Sequence, residues 1–290
     1  MAGGDIATAV SLRLSSGRTA FLKTLTGAPP HFFEREAAGL RWLGEATADG
    51  GVATPEVLAV DTDVLILAWV ESGRPSTEAA NVFGRALAAT HRAGAAAFGA
   101  EEDGYIGRLP LLNRSLPTWA EFYAERRIAP YLKVLRDKAI VSAEDAAVVE
   151  AAVARGAEIV PEEPPARLHG DLWNGNVIWA GEDRAVVIDP AAYGGHREID
   201  LAMLALFGLP QAAAGDERLR RGLPARRGLG GPARLPPACS RCSCTPVSSA
   251  ASTAPARPGS PPATSETSSQ VPAPRLSEPQ ILLPEERSGG

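Results

Sequence analysis

The chain has 290 residues, 45% of them hydrophobic, which is ample for a core, and a formal net charge of −5. The charge is unevenly spread, −10 over residues 1–216 and +5 over residues 217–290, and an acidic ordered part argues against nucleic acid as a partner. No apolar run approaches the roughly eighteen residues of a membrane span and no basic-then-apolar leader follows Met1, so the expectation is a cytoplasmic protein with no membrane partner; a monomer is the working expectation, not one that the sequence decides.

In chain order, Ala7–Leu14 and Thr19–Thr24 alternate as strands do, joined by the Ser15-Ser16-Gly17 turn, which predicts a β-hairpin with Phe21 and Lys23 on one face. Phe32 to Ala46 has helical periodicity, with Glu36, Leu40 and Leu43 on one stripe. Glu36 is thus expected on the buried side, and Glu34, about 160° off that stripe, in solvent. Val57–Val60 and Val64–Val70 read as two further strands around the Asp61-Thr62-Asp63 turn. Ala-rich helices follow at about Thr77–Ala93, Thr118–Lys138 and Ser142–Ile159, the last opening on a Ser142-x-x-Asp145 capping box. Short strands near Arg167–His169, Val177–Trp179 and Ala185–Ile188 flank a polar loop, and the run from Tyr193 leads into an apolar helix Leu201–Phe207, with Asp200 or Glu198 as its cap.

Residues 217–290 hold 13 of the 25 Pro and all three Cys, and no aromatic residue follows Phe207. Such a composition cannot bury enough apolar surface to offset the entropy of ordering it, so disorder is expected there. Cys239, Cys242 and Cys244 lack a fourth zinc ligand from a second knuckle, so they read as accidental clustering.

The chemistry concentrates in His169-Gly170-Asp171-Leu172-Trp173-Asn174-Gly175-Asn176, with Asp189 thirteen residues after Asn176 at the end of the apolar run Ala185–Ile188. In the kinase pattern H-R-D-L-x-x-x-N, the Asp takes the proton of the acceptor hydroxyl, the Asn five residues on holds Mg²⁺, and a later Asp holds metal against the ATP phosphates. Asp171 and Asn176 have that spacing. A short rigid loop must carry both, because the acceptor oxygen has to lie in line with the γ-phosphate. Lys23 faces inward on its strand and Glu36 inward on its helix; each is costly to bury unless it meets the other, which is how a kinase grips the α- and β-phosphates. Gly3-Gly4-Asp5 could bring backbone N–H groups to phosphate oxygens, and the Leu67–Glu71 stretch, with Trp69 and Glu71, stands where a hinge would offer backbone groups to adenine. Trp173 beside the base could stack on a sugar face or pack under the loop. His169 and His91 read as structural.

Asp189-Pro190-Ala191-Ala192-Tyr193-Gly194-Gly195-His196-Arg197-Glu198-Ile199-Asp200-Leu201-Ala202-Met203, behind the His169–Asn176 loop, resembles the fructosamine (ketosamine-3) kinases. The likeness runs from residue 1 to about 216 and includes Gly3-Gly4-Asp5-Ile6, Phe21-Leu22-Lys23-Thr24 and Phe33–Leu40. It implies an α+β, bilobal protein kinase-like fold: a nucleotide lobe at 1–71, a mainly helical catalytic lobe at 72–216, then the tail. It also implies ATP- and Mg²⁺-dependent phosphorylation of the sugar 3-hydroxyl of ketosamines on glycated amines or proteins. Asp171 would be the base, Asn176 and Asp189 the metal ligands, Lys23 and Glu36 the phosphate clamp, and Trp173, His196 and Arg197 would face the substrate. Family members carry a helix and a strand before the Gly-Gly turn and continue after Leu-Phe-Gly with amphipathic helices. Here Arg/Pro/Ser/Ala sequence follows instead, so the expectation is an incomplete helical lobe, a reading frame shifted near Asp216–Leu219 and a start codon placed too late. An aminoglycoside- or choline-type hydroxyl kinase, and a non-catalytic truncated kinase-like protein, are the alternatives.

Overall fold

The computed structural model describes residues 7–181 and 183–209, with Ala157 described by its backbone alone. Gly3, Gly4 and the expected disordered tail lie outside the described residues. The hairpin forms as β1 (Thr8–Arg13) and β2 (Thr19–Thr24), in the register Ala9↔Lys23 and Ser11↔Phe21. It joins β3 (Val57–Asp61) and β4 (Val64–Ala68) in an antiparallel sheet of order β1-β2-β4-β3. The helix α1 (Phe32–Glu45) lays Phe33, Ala37 and Leu40 against Leu65 and Leu67 of that sheet, and these form one apolar core.

The remaining residues build on α2 (Thr77–Ala93), capped by Ser76, whose side chain accepts from the Ala79 N–H. A hairpin that alternation did not reveal follows, β5 (Gly104–Ile106) with β6 (Leu109–Leu111); three residues per strand are too few to set a period. The helix expected at Thr118–Lys138 is not one regular helix. It runs as α3 (Trp119–Phe122), a π-helical stretch Tyr123–Ile128 and α4 (Ala129–Asp137). Pro130 is the physical reason: it has no N–H and its ring clashes with the carbonyl four residues back in a regular helix, and the wider turn relieves both. A full capping box pairs Thr118 with Glu121 at the start of α3. In α5 (Ala143–Ile159), Ser142 caps as expected, accepting from the Asp145 N–H.

The last part is a set of short strands. β7 (Ala166–Leu168) leads into the polar loop, a 3₁₀ turn spans Asn174–Asn176, and β8 (Val177–Ala180) pairs with β9 (Arg184–Val187). β10 (Tyr193–Gly195) returns to pair with β7, matching Tyr193 with Leu168. The chain then enters α6 (Glu198–Phe207). A second core beneath the loop joins Leu43, Phe83, Leu87, Leu172, Val177, Trp179, Val187 and Leu204. Leu172 therefore points into the core, which turns its neighbour Asp171 toward the open side. Among the described residues, no helix is long and apolar enough to cross a membrane.

Candidate active site

Four segments converge. Lys23 on β2 lies with its Nζ 2.8 Å from both carboxylate oxygens of Glu36 on α1, and donates also to Asp189 Oδ1 at 3.0 Å. The side chains of Lys23 and Glu36 are each 10% exposed. Burial pushes Glu36 up to about 7, with Lys23 pulling back and Asp189 adding to the rise. Burial alone would lower Lys23, but Glu36 and Asp189 outweigh it and hold the ammonium above its ordinary value. Glu34 is not the partner. Its side chain is 35% exposed rather than fully solvated, and it sits 3.6 Å from His31.

Asp189 follows β9 with φ +55°, a left-handed conformation that Asp tolerates better than most residues and that sets its carboxylate toward Lys23. Across from it, Asn176 donates through Nδ2 to the Asp171 carbonyl at 2.8 Å and to Asp171 Oδ2 at 3.2 Å. That commitment of the amide nitrogen leaves Asn176 Oδ1 as the oxygen free to meet a cation. Burial pushes the Asp171 carboxyl above its ordinary value, although electrostatic attraction to the His169 ring and the Asn176 hydrogen bond oppose the shift.

The loop is held from behind. His169 donates through Nε2 to the Ile188 carbonyl at 2.9 Å, and its Nδ1 accepts from the Asp171 N–H at 3.3 Å. The Ile188 N–H donates to the Asn176 carbonyl at 3.0 Å, so Asp171, Asn176 and Asp189 share one short hydrogen-bonded frame. Gly170 lies at φ +81°, and a Cβ there would fall 2.1 Å from the Ala191 carbonyl oxygen. Gly170→Ala will accordingly cost about 2–4 kcal/mol of stability and displace Asp171, read from the denaturation midpoint and from turnover.

One anchoring residue departs from the sequence expectation. Asp200 does not cap a helix; α6 begins at Glu198, and Asp200 turns inward, 0% exposed. Its Oδ2 accepts from the His169 N–H at 3.0 Å and from His91 Nε2 at 2.9 Å, and its Oδ1 from the Gly170 N–H at 3.0 Å. Burial pushes this carboxyl up, but the hydrogen bonds from His91 and the His169 N–H, with electrostatic attraction to the two rings, win and hold it below its ordinary value. Its position on one stripe with the buried Met203 and Leu204, at i+3 and i+4, was the available signal. His91 and His169 are structural, as expected.

The substrate expectation for His196 and Arg197 needs correcting. His196 is 2% exposed, its ring 6.1 Å from that of Trp119, and Arg197 donates to Glu163 at 2.7 Å. Burial also holds the His196 imidazole below its ordinary value. The His196 ring is enclosed beside Trp119 of α3, leaving it no open face for a ligand, and the Arg197 guanidinium is taken up by Glu163. Trp173, in contrast, is 41% exposed two residues after Asp171, its ring lying over Gly175 and 6.1 Å from that of Phe207. Trp69 and Glu71 lie between β4 and α2, and the indole N–H donates to the Glu71 carboxylate at 2.9 Å. Their side chains thus engage each other.

The donor set suits a cation held jointly with phosphate. Mg²⁺ in phosphoryl-transfer sites takes one or two protein oxygens, with phosphates and water completing its octahedron. Asn176 Oδ1 and the Asp189 carboxylate match that requirement.

The fructosamine kinase family profile matches residues 1–213. A probable ketoamine kinase of Thermus thermophilus is 39% identical over 187 residues, 64% of this chain and 66% of that protein. The chloroplastic protein-ribulosamine 3-kinase of Arabidopsis thaliana is 33% identical over 209 residues, 69% and 63% of the two chains. The chain thus spans about two thirds of the length of these curated relatives. A crystal structure of a candidate fructosamine-3-kinase from Thermobifida fusca superposes with a TM-score of 0.73 at 44% identity, covering 79% of each chain. A macrolide 2′-phosphotransferase from Brachybacterium faecium, at 15% identity and TM-score 0.51, shares the fold alone. With its α+β, protein kinase-like architecture and a profile match across most of its length, this chain belongs to the fructosamine kinase family.

Proposed function

We propose that the protein is a ketosamine kinase, transferring the γ-phosphoryl group of ATP to the sugar 3-hydroxyl of a fructosyl- or ribulosyl-amine. The observation that carries this is the meeting of Lys23, Glu36 and Asp189 within 3.0 Å, beside a loop that sets Asp171 against Asn176. In this reading residues 1–71 hold the nucleotide and residues 72–216 the acceptor. Lys23, kept cationic by Glu36, grips the α- and β-phosphates, and the hinge backbone at Trp69–Glu71 receives the adenine. Bound Mg²⁺, held by Asn176 and Asp189, would neutralise charge on the β- and γ-phosphates. Asp171 accepts the proton of the 3-hydroxyl as its oxygen takes the phosphoryl group.

Trp173 is the sugar contact, offering a flat apolar face beside the base, where a polyol ring or chain can lie with its hydroxyl toward Asp171. The Arabidopsis relative's name, a protein-ribulosamine 3-kinase, supports an acceptor carried on a protein amine. The deciding experiment is ADP formation by the purified chain with Mg²⁺·ATP and fructosyl-lysine or ribulosyl-lysine, beside kanamycin and choline. Turnover confined to the ketosamines is expected. Turnover with kanamycin or choline alone would assign an aminoglycoside- or choline-type kinase, and a folded chain silent with all acceptors would make it a non-catalytic relative.

A further inference from the structure

We propose that Arg167 is a positioning residue that clamps α1 to the strand leading into the catalytic loop, holding Glu36 in register with Asp189 and Asp171 before nucleotide arrives. The proposal rests on reading Lys23, Glu36 and Asp189 as the nucleotide clamp. Arg167 is the middle residue of β7, opposite Gly194 and four residues before Asp171. A guanidinium at an internal strand position is expensive to desolvate, and this side chain is largely buried. It finds its partners on another element. Nη1 donates to the Trp42 carbonyl and, at 3.0 Å, to Glu45 Oε2, while the guanidinium lies over the Trp42 ring at 4.6 Å. Nε reaches the Gly94 carbonyl at 3.4 Å.

Trp42 and Glu45 belong to the last turn of α1. The final carbonyls of a helix lack intrahelical partners and carry the negative end of its dipole, so one buried cation meets both needs. Glu36 lies six residues earlier on the same helix, about 9 Å along a rigid rod. Midway, Gly39 lets α1 rest on the segment after Asp189: a Cβ there would come within 3.2 Å of both Pro190 Cγ and Ala192 Cβ. At the front, Arg35 pairs with Glu102 at 3.1 Å and the Tyr105 hydroxyl donates to the Pro30 carbonyl at 2.9 Å. Those front contacts are exposed and individually weak. Arg167, its own side chain largely buried, supplies the multidentate tie, and through it α1, with the β-sheet packed on it, is held to the catalytic loop.

The test compares Arg167→Met, Arg167→Lys and Trp42→Leu, the last removing the ring under the guanidinium while keeping the Trp42 carbonyl, Glu45 and β7. Amide hydrogen exchange is followed in the nucleotide-free protein, and KM for ATP, KM for the ketosamine and kcat are measured separately. Arg167→Met is expected to raise KM for ATP about tenfold, leave KM for the ketosamine unchanged and speed exchange within residues 36–45 alone, and Trp42→Leu to shift the same two readouts in the same direction by less. Lys keeps the charge but not the fork or the stacking, so it should fall between Met and the native residue. Saturating Mg²⁺·ATP should restore protection of α1. Unchanged KM for ATP with unchanged α1 exchange overturns the proposal, as does exchange that rises throughout the protein with both KM values and kcat changing together. If the native chain turns over no ketosamine, the exchange measurement still reads the clamp, so failure of the catalytic reading is distinct from failure of this one.

Discussion

Asp171→Asn will lower kcat for ketosamine phosphorylation by about 10²- to 10⁴-fold while leaving KM for ATP close to its native value. The substitution is nearly isosteric, and the amide oxygen of Asn can still accept from Asn176 Nδ2, which sits 3.2 Å from Asp171 Oδ2. The loop should therefore keep its shape and lose only the group that takes the proton. Because burial pushes the Asp171 carboxyl above its ordinary value, the native rate should fall on the acid side at a pH higher than a solvated aspartate would give. Below that point Asp171 is protonated and cannot accept. Steady-state ADP formation across a pH series checks both statements. Residual activity within about tenfold of native would remove Asp171 from the role of base.

Asp200→Ala should be the most destabilising single change among the site residues, at about 3–5 kcal/mol, because it strands a buried histidine and two backbone N–H groups. The His169 and Gly170 N–H groups both end on this carboxylate, so the loop that aims Asp171 loses its anchor along with the fold's stability. Asp200→Asn separates charge from shape. The folded carboxyl titrates below its ordinary value of 3.8, so its contribution is complete above that pH and is lost as pH falls through the lower folded value. The difference in stability between native protein and Asp200→Asn should therefore be large at pH 7 and shrink below pH 4. Denaturant titrations at both pH values measure it, and a difference that grew on acidification would contradict the ionised, hydrogen-bonded state.

Much of the site could be read from residue order. The five-residue step from Asp171 to Asn176 and the later Asp189 are set by a loop and a hairpin too short to vary, so spacing in sequence translates into distance. Lys23 and Glu36 were legible for a different reason: each is a charge on an otherwise apolar face, and a buried charge demands a partner. Where the sequence reading failed, contacts between distant segments decided the outcome. The family resemblance implied that His196 and Arg197 face the substrate, yet His196 is closed in beside Trp119 and Arg197 is paired with Glu163. Asp200 looked like a helix cap because a carboxylate near a helix start usually is one. Only the packing of α6 beneath the catalytic loop, with His91 arriving from α2, turns it into an anchor.

Local periodicity and spacing alone thus determined the sheet-and-helix start, the Ala-rich helices and the loop that sets Asp171 beside Asn176. These features repeat over several residues or sit within a single turn, where chain geometry leaves little choice. The tertiary structure decided which isolated polar residues are buried, which short strands pair, and how α1 is tied through Arg167 to the loop it serves. Such features depend on segments far apart in sequence, and a residue's own neighbours carry no record of the partner that folding brings to it.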